Sequence, residues 1–275
     1  MQTRRLGHVS LTLVSLALAG CGIDKPTPHV KEGIVAIVYA DLTRSINEET
    51  ANRIKRNIGE LFSKTPPNTR FYLFSVDRGT SKPDIYEFIP HFSEIKVASD
   101  EDKVKKEMED NQKAKEEVEL KKLKDSLDSY HTLIASQKGP VSCLTNKLNS
   151  LSDMIRNKSS NYPDYEIRVY FYSDMIEDCS NSFDGKPLAF QRNANDKDEE
   201  KHLEDIQHRI DKSFHQVELK SLRPKVYVVL TSQDDKQSLE NLKMLWTKFF
   251  DKLGVDTGDI VWGNGNEESF WQMPK

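Results

Sequence analysis

Two hydrophobic runs, each closed by an acid, constrain this chain more than any other feature. Gly33-Ile34-Val35-Ala36-Ile37-Val38-Tyr39-Ala40 leads into Asp41-Leu42-Thr43-Arg44-Ser45, and Ile167-Arg168-Val169-Tyr170-Phe171-Tyr172 leads into Ser173-Asp174-Met175. A run that is apolar at nearly every position, rather than at alternate ones, fits a strand covered on both faces in a parallel sheet. Parallel neighbours need long crossover connections, usually helical. The chain supplies them. Ala51, Ile54, Ile58, Leu61 and Phe62 recur at helical spacing, after a candidate N-cap at Asn47 and before the stop Pro66-Pro67. Phe71 to Val76 reads as a second strand, and Ile85 to Phe92 as a third, confined to an edge or ended by Pro90.

Asp100 to Ile134 is the most charged stretch. Its first half, with Val104 and Met108 as rare apolar points, reads as a solvated helix, while Leu120, Leu123, Leu127, Tyr130 and Ile134 make its second half amphipathic. A helix follows on Leu144, Leu148, Leu151 and Ile155. The polar stretch from Glu177 to Glu200 reads as a surface loop. Leu203 to Val217 reads as a helix stopped before Pro224, Val226 to Leu230 as a strand, Leu239 to Leu253 as a helix closed by Gly254, and Ile260 to Trp262 as a short last strand. This alternation predicts an α/β fold: a doubly wound, mostly parallel sheet with helices on both faces and a charged helical insertion at about 100–136. In such sheets ligands bind beyond the carboxyl ends of the strands, where both acidic motifs lie.

The N-terminus stands apart. Arg4 and Arg5 precede the apolar run Leu11 to Ala19, which has the length of a secretory signal and is too short to span a bilayer. Leu18-Ala19-Gly20-Cys21 resembles the bacterial lipobox, which implies cleavage before Cys21 and lipidation of its sulfur. Residues 1–20 are then a lipoprotein signal peptide, 21–32 a tether bearing Pro26 and Pro28, 33–263 the domain and 264–275 a tail. Gly22, rather than an aspartate, follows the cysteine, so the resemblance places the chain at the outer membrane if the source has one. The mature chain of about 250 residues has a net charge near −6 and no concentrated basic face, which argues against nucleic acid as a partner. Only Cys143 and Cys179 remain after Cys21, and an even pair in an exported chain reads as a disulfide.

The acidic motifs carry the candidate chemistry. A carboxylate and two hydroxyls at alternate positions, with a second carboxylate after another strand, can surround a hard cation, and Mg²⁺ takes oxygen ligands. The pattern resembles the metal-ion-dependent adhesion site of von Willebrand factor type A (VWA) domains over about Gly33 to Trp262. That family's Asp-x-Ser-x-Ser motif corresponds to Asp41, Thr43 and Ser45, with threonine replacing the first serine. Its last aspartate corresponds to Asp174. Its middle threonine corresponds to Ser142 or Thr145, of which Ser142 fits better, because Leu144 and Leu148 lie two and six residues on. The resemblance implies a Mg²⁺ or Mn²⁺ ion whose shell is completed by an acidic residue of a protein partner, with no catalysis.

Other readings remain open. Asp41 and Ser45 can simply cap the helix near Asn47, and Asp174 a turn; the protein is then a structural envelope component with an inactive metal site. Asp41, Asp77, Asp174 and Asp178 can instead form the acidic cluster of a metal-dependent phosphoesterase or nuclease. His202, His208 and His215 are spaced by six and seven, not by the four of a helical zinc pair. No Gly-x-Ser-x-Gly elbow is present.

Overall fold

The computed structural model describes residues 32–43, 46–76, 86–92, 102–136, 143–179, 182, 184, 186–190, 201, 204–206, 208–209, 212, 223–231 and 236–263. The leader with Cys21, and Ser45, Asp77, Ser142, His202, His215 and the tail 264–275, lie outside them.

Strand β1 (Gly33–Asp41) is buried at all nine positions, as its unbroken apolar run requires. It pairs in parallel with β2 (Thr69–Val76) on one side and β4 (Tyr165–Ser173) on the other. β3 (Tyr86–Phe88) runs antiparallel along the outer edge of β2 and stops before Pro90, which cannot donate to a ladder. β7 (Lys225–Leu230) and β8 (Ile260–Gly263) extend the sheet beyond β4 in parallel, giving the order β3-β2-β1-β4-β7-β8. The first residue of β1 has to be glycine, because a Cβ there would strike the Asn68 carbonyl and the Tyr165 ring.

Period-two alternation splits the strands between two cores. Val35, Ile37 and Tyr39 face helices α3 (Leu144–Asn161) and α4 (Lys236–Lys252), meeting Leu151, Ile155, Leu242, Trp246 and Phe250. Ile34, Ala36, Val38 and Ala40 face α1 (Glu48–Lys64) and α2 (Asp102–Ser136), meeting Ile54, Ile58, Leu127 and Tyr130. The fold is therefore the expected α/β layering, a mostly parallel sheet with helices on both faces. Each fully buried Leu, Ile or Phe contributes roughly 1.5–3 kcal/mol. Helix α1 starts where its sequence directs: the Asn47 side chain accepts from the Thr50 N–H at 2.8 Å, and Glu48 and Glu49 complement the helix dipole. Helix α4 ends at Gly254, whose φ of 87° is open to glycine at no steric cost.

Two expectations need correction. The stretch from Glu177 is not simply a surface loop: β5 (Glu177–Cys179) pairs antiparallel with β6 (Leu188–Phe190). This pairing is held by Arg209, in the helical residues after 201. Arg209 donates to both Asp184 oxygens at 2.8 Å, to Ser182 Oγ at 3.0 Å and to the Pro187 carbonyl at 3.2 Å. Helix α2 is docked beyond its apolar half. Gln112 donates to the Phe92 carbonyl at 2.8 Å, while Glu116 and Glu119 accept from the Phe92 and Ile89 N–H groups at 3.3 and 3.4 Å. Polar side chains there serve the backbone beside the edge strand, which a hydrophobic pattern does not reveal. No helix among the described residues is long and apolar enough to cross a membrane.

Candidate functional site

The chain leaves β1 toward β2 on one side of the sheet and leaves β4 toward β7 and β8 on the other. The crevice between the carboxyl ends of β1 and β4 is thus the switch point of the topology, the usual ligand position in doubly wound sheets. Just beneath it, Tyr39 stacks between Phe74 and Phe171 with ring centroids 5.3 and 5.0 Å away. This three-strand aromatic ladder, each pair contributing roughly 0.5–1.5 kcal/mol beyond burial, fixes the register that sets Asp41 beside Ser173.

Asp41 is fully buried. One carboxylate oxygen accepts the Thr43 N–H at 3.1 Å, and the other accepts the Ser173 hydroxyl at 2.7 Å. Ser173 Oγ in turn accepts from the Met175 N–H at 2.8 Å. Asp174, also buried, accepts from the Ile176 N–H at 3.0 Å, so the turn-capping role expected as an alternative is present. Between them Met175 has a left-handed φ of 59°, strained for a residue with a side chain. The turn is over-determined: Ser173 holds the Met175 N–H, and the indole of Trp246 donates to the Met175 carbonyl at 2.7 Å. Asp174 is thereby held at the strand end by a helix on the far side of the core.

Helix α3 packs its start against β5. Its N-cap, Cys143, makes no side-chain cap bond. The cap comes from Glu177, which is fully buried at the start of β5. Glu177 accepts the Thr145 hydroxyl at 2.5 Å with one oxygen and the Thr145 N–H at 3.3 Å with the other. Burial pushes the Glu177 carboxyl up to about 8; the bonds from Thr145 and the Leu144 N–H pull it down, and the charge of Asp41 raises it. That last effect places Glu177 within electrostatic reach of Asp41. A disulfide joins Cys143 to Cys179, with Cα atoms 4.9 Å apart, and ties the start of α3 to β5.

Of the predicted residues, Asp41, Thr43, Thr145 and Asp174 are described and all are buried; Asp41 bonds Ser173, the chain neighbour of Asp174, and Thr145 bonds Glu177. Ser45 and Ser142 lie outside the described residues. So does Asp77 of the phosphoesterase cluster, and His208 is exposed. Sequence reasoning missed Ser173 and Glu177. Ser173 directly precedes the predicted aspartate, and its hydroxyl was the available signal; Glu177 had none, sitting in a polar stretch. Burial is what chiefly raises Glu177, with the charge of Asp41 a lesser push in the same direction. The candidate donors are all carboxylate or hydroxyl oxygens. That chemistry fits a hard divalent cation. Among the described residues no three His, Cys, Asp or Glu form a group able to hold a metal, so an ion here would need hydroxyl donors as well.

Two solved structures align with most of the chain at low identity. Human COPII-coat protein Sec24c matches at 8 % identity over 86 % of this chain and 30 % of its own, with a TM-score of 0.47. Proximal thread matrix protein 1 from the mussel byssus matches at 14 % identity over 86 % of this chain and 45 % of its own, with a TM-score of 0.36. The chain spans less than half the length of either. No family model matches the chain, and no curated protein does.

Proposed function

We propose that this domain is a protein-binding module that engages its partner through a divalent cation, Mg²⁺ or Mn²⁺, and is displayed on the bacterial cell envelope by a lipid on Cys21. The observation that carries the reading is the set of buried oxygens around the β1–β4 switch point: Asp41 and Asp174 at the strand ends, Thr43 just after β1, and Thr145 in the first turn of α3. Burying acids costs stability unless a cation or hydrogen bonds offset the charge. Asp41, Asp174 and hydroxyls of the first motif and of the start of α3 would hold the ion. The ion would supply a Lewis-acidic position for a partner's carboxylate, and the neutral hydroxyls would leave the site enough net positive charge to attract it.

The test is capture of envelope proteins by the detergent-solubilised full-length protein, with and without EDTA, beside Asp41→Ala. Retention that needs Mg²⁺ or Mn²⁺ and is lost in Asp41→Ala is expected. Retention indifferent to chelation, together with no thermal shift at millimolar Mg²⁺ or Mn²⁺, overturns the metal reading. Metal-dependent hydrolysis of phosphate esters lost in Asp41→Ala would replace it with the phosphoesterase alternative. Anchoring has its own test: Cys21→Ala should move the protein out of the detergent phase, and an unchanged membrane fraction with normal processing refutes lipidation.

A further inference from the structure

Glu177 stands in the one place where the site, the disulfide and a helix terminus meet. A helix start leaves its first N–H groups without internal partners, and α3 receives no side-chain cap from Cys143. Glu177 supplies the cap from another element, through the Thr145 N–H at 3.3 Å. The same carboxylate takes the Thr145 hydroxyl proton at 2.5 Å. A threonine hydroxyl has one proton and two lone pairs. With the proton committed to Glu177, the lone pairs of Thr145 Oγ1 remain to face other groups.

The surrounding covalent frame makes this pairing rigid. Cys143 lies two residues before Thr145, and Cys179 two residues after Glu177, so the bridge flanks the hydrogen-bonded pair on both strands of the chain. Asn146 donates to Cys179 Sγ at 3.6 Å, adding a polar tie at the same junction. The far end of the β5–β6 pair is fastened by Arg209 on Asp184. Two buried side chains are thus fixed to each other by elements far apart in sequence, with Glu177 within electrostatic reach of Asp41.

We infer that Glu177 is a positioning residue for the cation site: it holds the Thr145 hydroxyl by its proton, directs the oxygen lone pairs toward a divalent ion, and depends on the Cys143–Cys179 bridge to stay in place. The inference rests on the metal reading above and adds to it a residue that the acidic motifs do not contain. Groups that orient a metal ligand from behind typically change metal affinity about 10- to 100-fold when removed.

The experiment uses the full-length protein in detergent and two independent readouts: Mn²⁺ affinity by calorimetric titration, and amide hydrogen exchange across the first turn of α3 without metal. Glu177→Ala should weaken Mn²⁺ binding about 10- to 100-fold and raise exchange at Thr145 while the rest of α3 stays protected. Glu177→Gln keeps a carbonyl acceptor for the Thr145 hydroxyl but loses the acceptor for the Thr145 N–H, and should bind Mn²⁺ more tightly than Glu177→Ala does. Thr145→Val and the double variant Cys143→Ser/Cys179→Ser should each weaken binding in the direction of Glu177→Ala, and they serve if Glu177→Ala does not fold. If the natural protein binds no Mn²⁺, the proposed function falls, whatever exchange shows. If it binds Mn²⁺ and Glu177→Ala, or in its place Thr145→Val, leaves the affinity unchanged, or if Glu177→Gln loses as much as Glu177→Ala, the positioning role is refuted while the metal reading stands.

Discussion

Trp246 offers the sharpest test of how the helices support the acidic crevice. It is fully buried, packs edge-on to Phe249 at 5.4 Å, and donates its indole N–H to the Met175 carbonyl at 2.7 Å. Trp246→Phe keeps an aromatic ring on α4 but deletes the donor. Removing one partner of a buried hydrogen bond costs about 1–3 kcal/mol, because the remaining group has no water to return to. The smaller ring leaves roughly 40 Å³ unfilled, which at about 24 cal/mol per Å³ adds about 1 kcal/mol. The expected loss is therefore about 2–4 kcal/mol, read as a lower urea midpoint with an unchanged denaturant slope. The comparison variant is Phe250→Leu, which disturbs the same core while leaving the indole donor to the Met175 carbonyl in place. Beyond stability, Trp246→Phe should loosen the left-handed turn that follows Asp174, seen as faster amide exchange at Met175 and Ile176; Phe250→Leu should not. A loss of about 1 kcal/mol or less with unchanged exchange at those two amides would falsify the claim that α4 holds the turn.

The disulfide closes a separation of 36 residues, so Cys143→Ser/Cys179→Ser should cost about 3.8 kcal/mol on the chain-entropy account, measured by urea unfolding; a loss below about 1 kcal/mol refutes that account here. The Arg209 guanidinium beside Asp184 holds its carboxyl well below the usual carboxylate range. The folded-state value is depressed, so the stabilisation is fully present above the ordinary value of 3.8 and is lost as pH falls toward the folded value. The drop in urea midpoint between pH 5 and pH 2.5 should be smaller in Arg209→Met than in the natural protein, and equal drops refute the pairing. Gly59 sits inside α1, and a Cβ added there meets nothing within 4 Å, so Gly59→Ala should stabilise by roughly 0.5–1 kcal/mol; destabilisation would show a steric demand that the fold does not contain.

The sheet was legible wherever one strand's own residues decide its burial. β1 and β4 announce themselves because both faces are covered, and α1 because cap, stripe and proline stop agree over Asn47 to Pro67. What was hidden depends on groups distant in sequence. Glu177 reads as solvent-exposed among polar neighbours, yet β6 pairs beside it, Cys143 is bonded two residues past it and Thr145 takes both its oxygens. Arg168 interrupts the apolar run of β4 and is nevertheless buried, because Glu166, two residues earlier on the same face, accepts its Nε at 2.9 Å. The left-handed φ of Met175 leaves no trace in sequence either: a glycine would have signalled it, and methionine conceals it. Of the candidate residues, the strand-end positions of Asp41 and Asp174 were readable in the sequence; Thr145 entered only through the family resemblance, where spacing favoured Ser142, and the groups that hold them in place were not readable.

These hidden features share a direction. Burying Asp41, Asp174 and Glu177 at one end of the sheet raises the energy of the folded state, and a left-handed methionine adds roughly 1–2 kcal/mol of strain. An apolar strand end with glycine at position 175 would be cheaper on both counts. The chain instead spends interactions on keeping the acids where they are: the Ser173 bond to Asp41, the Trp246 bond across the core, the remote cap on α3 and a disulfide at the junction. None of these is needed to close the sheet, whose core is complete beneath the aromatic ladder of Phe74, Tyr39 and Phe171. Costly groups held rigidly at a topological switch point are what a binding site requires, because preorganised oxygens do not lose further freedom when a ligand arrives. Stability is given up at this end of the sheet, and the surrounding structure holds the acids in place at that cost.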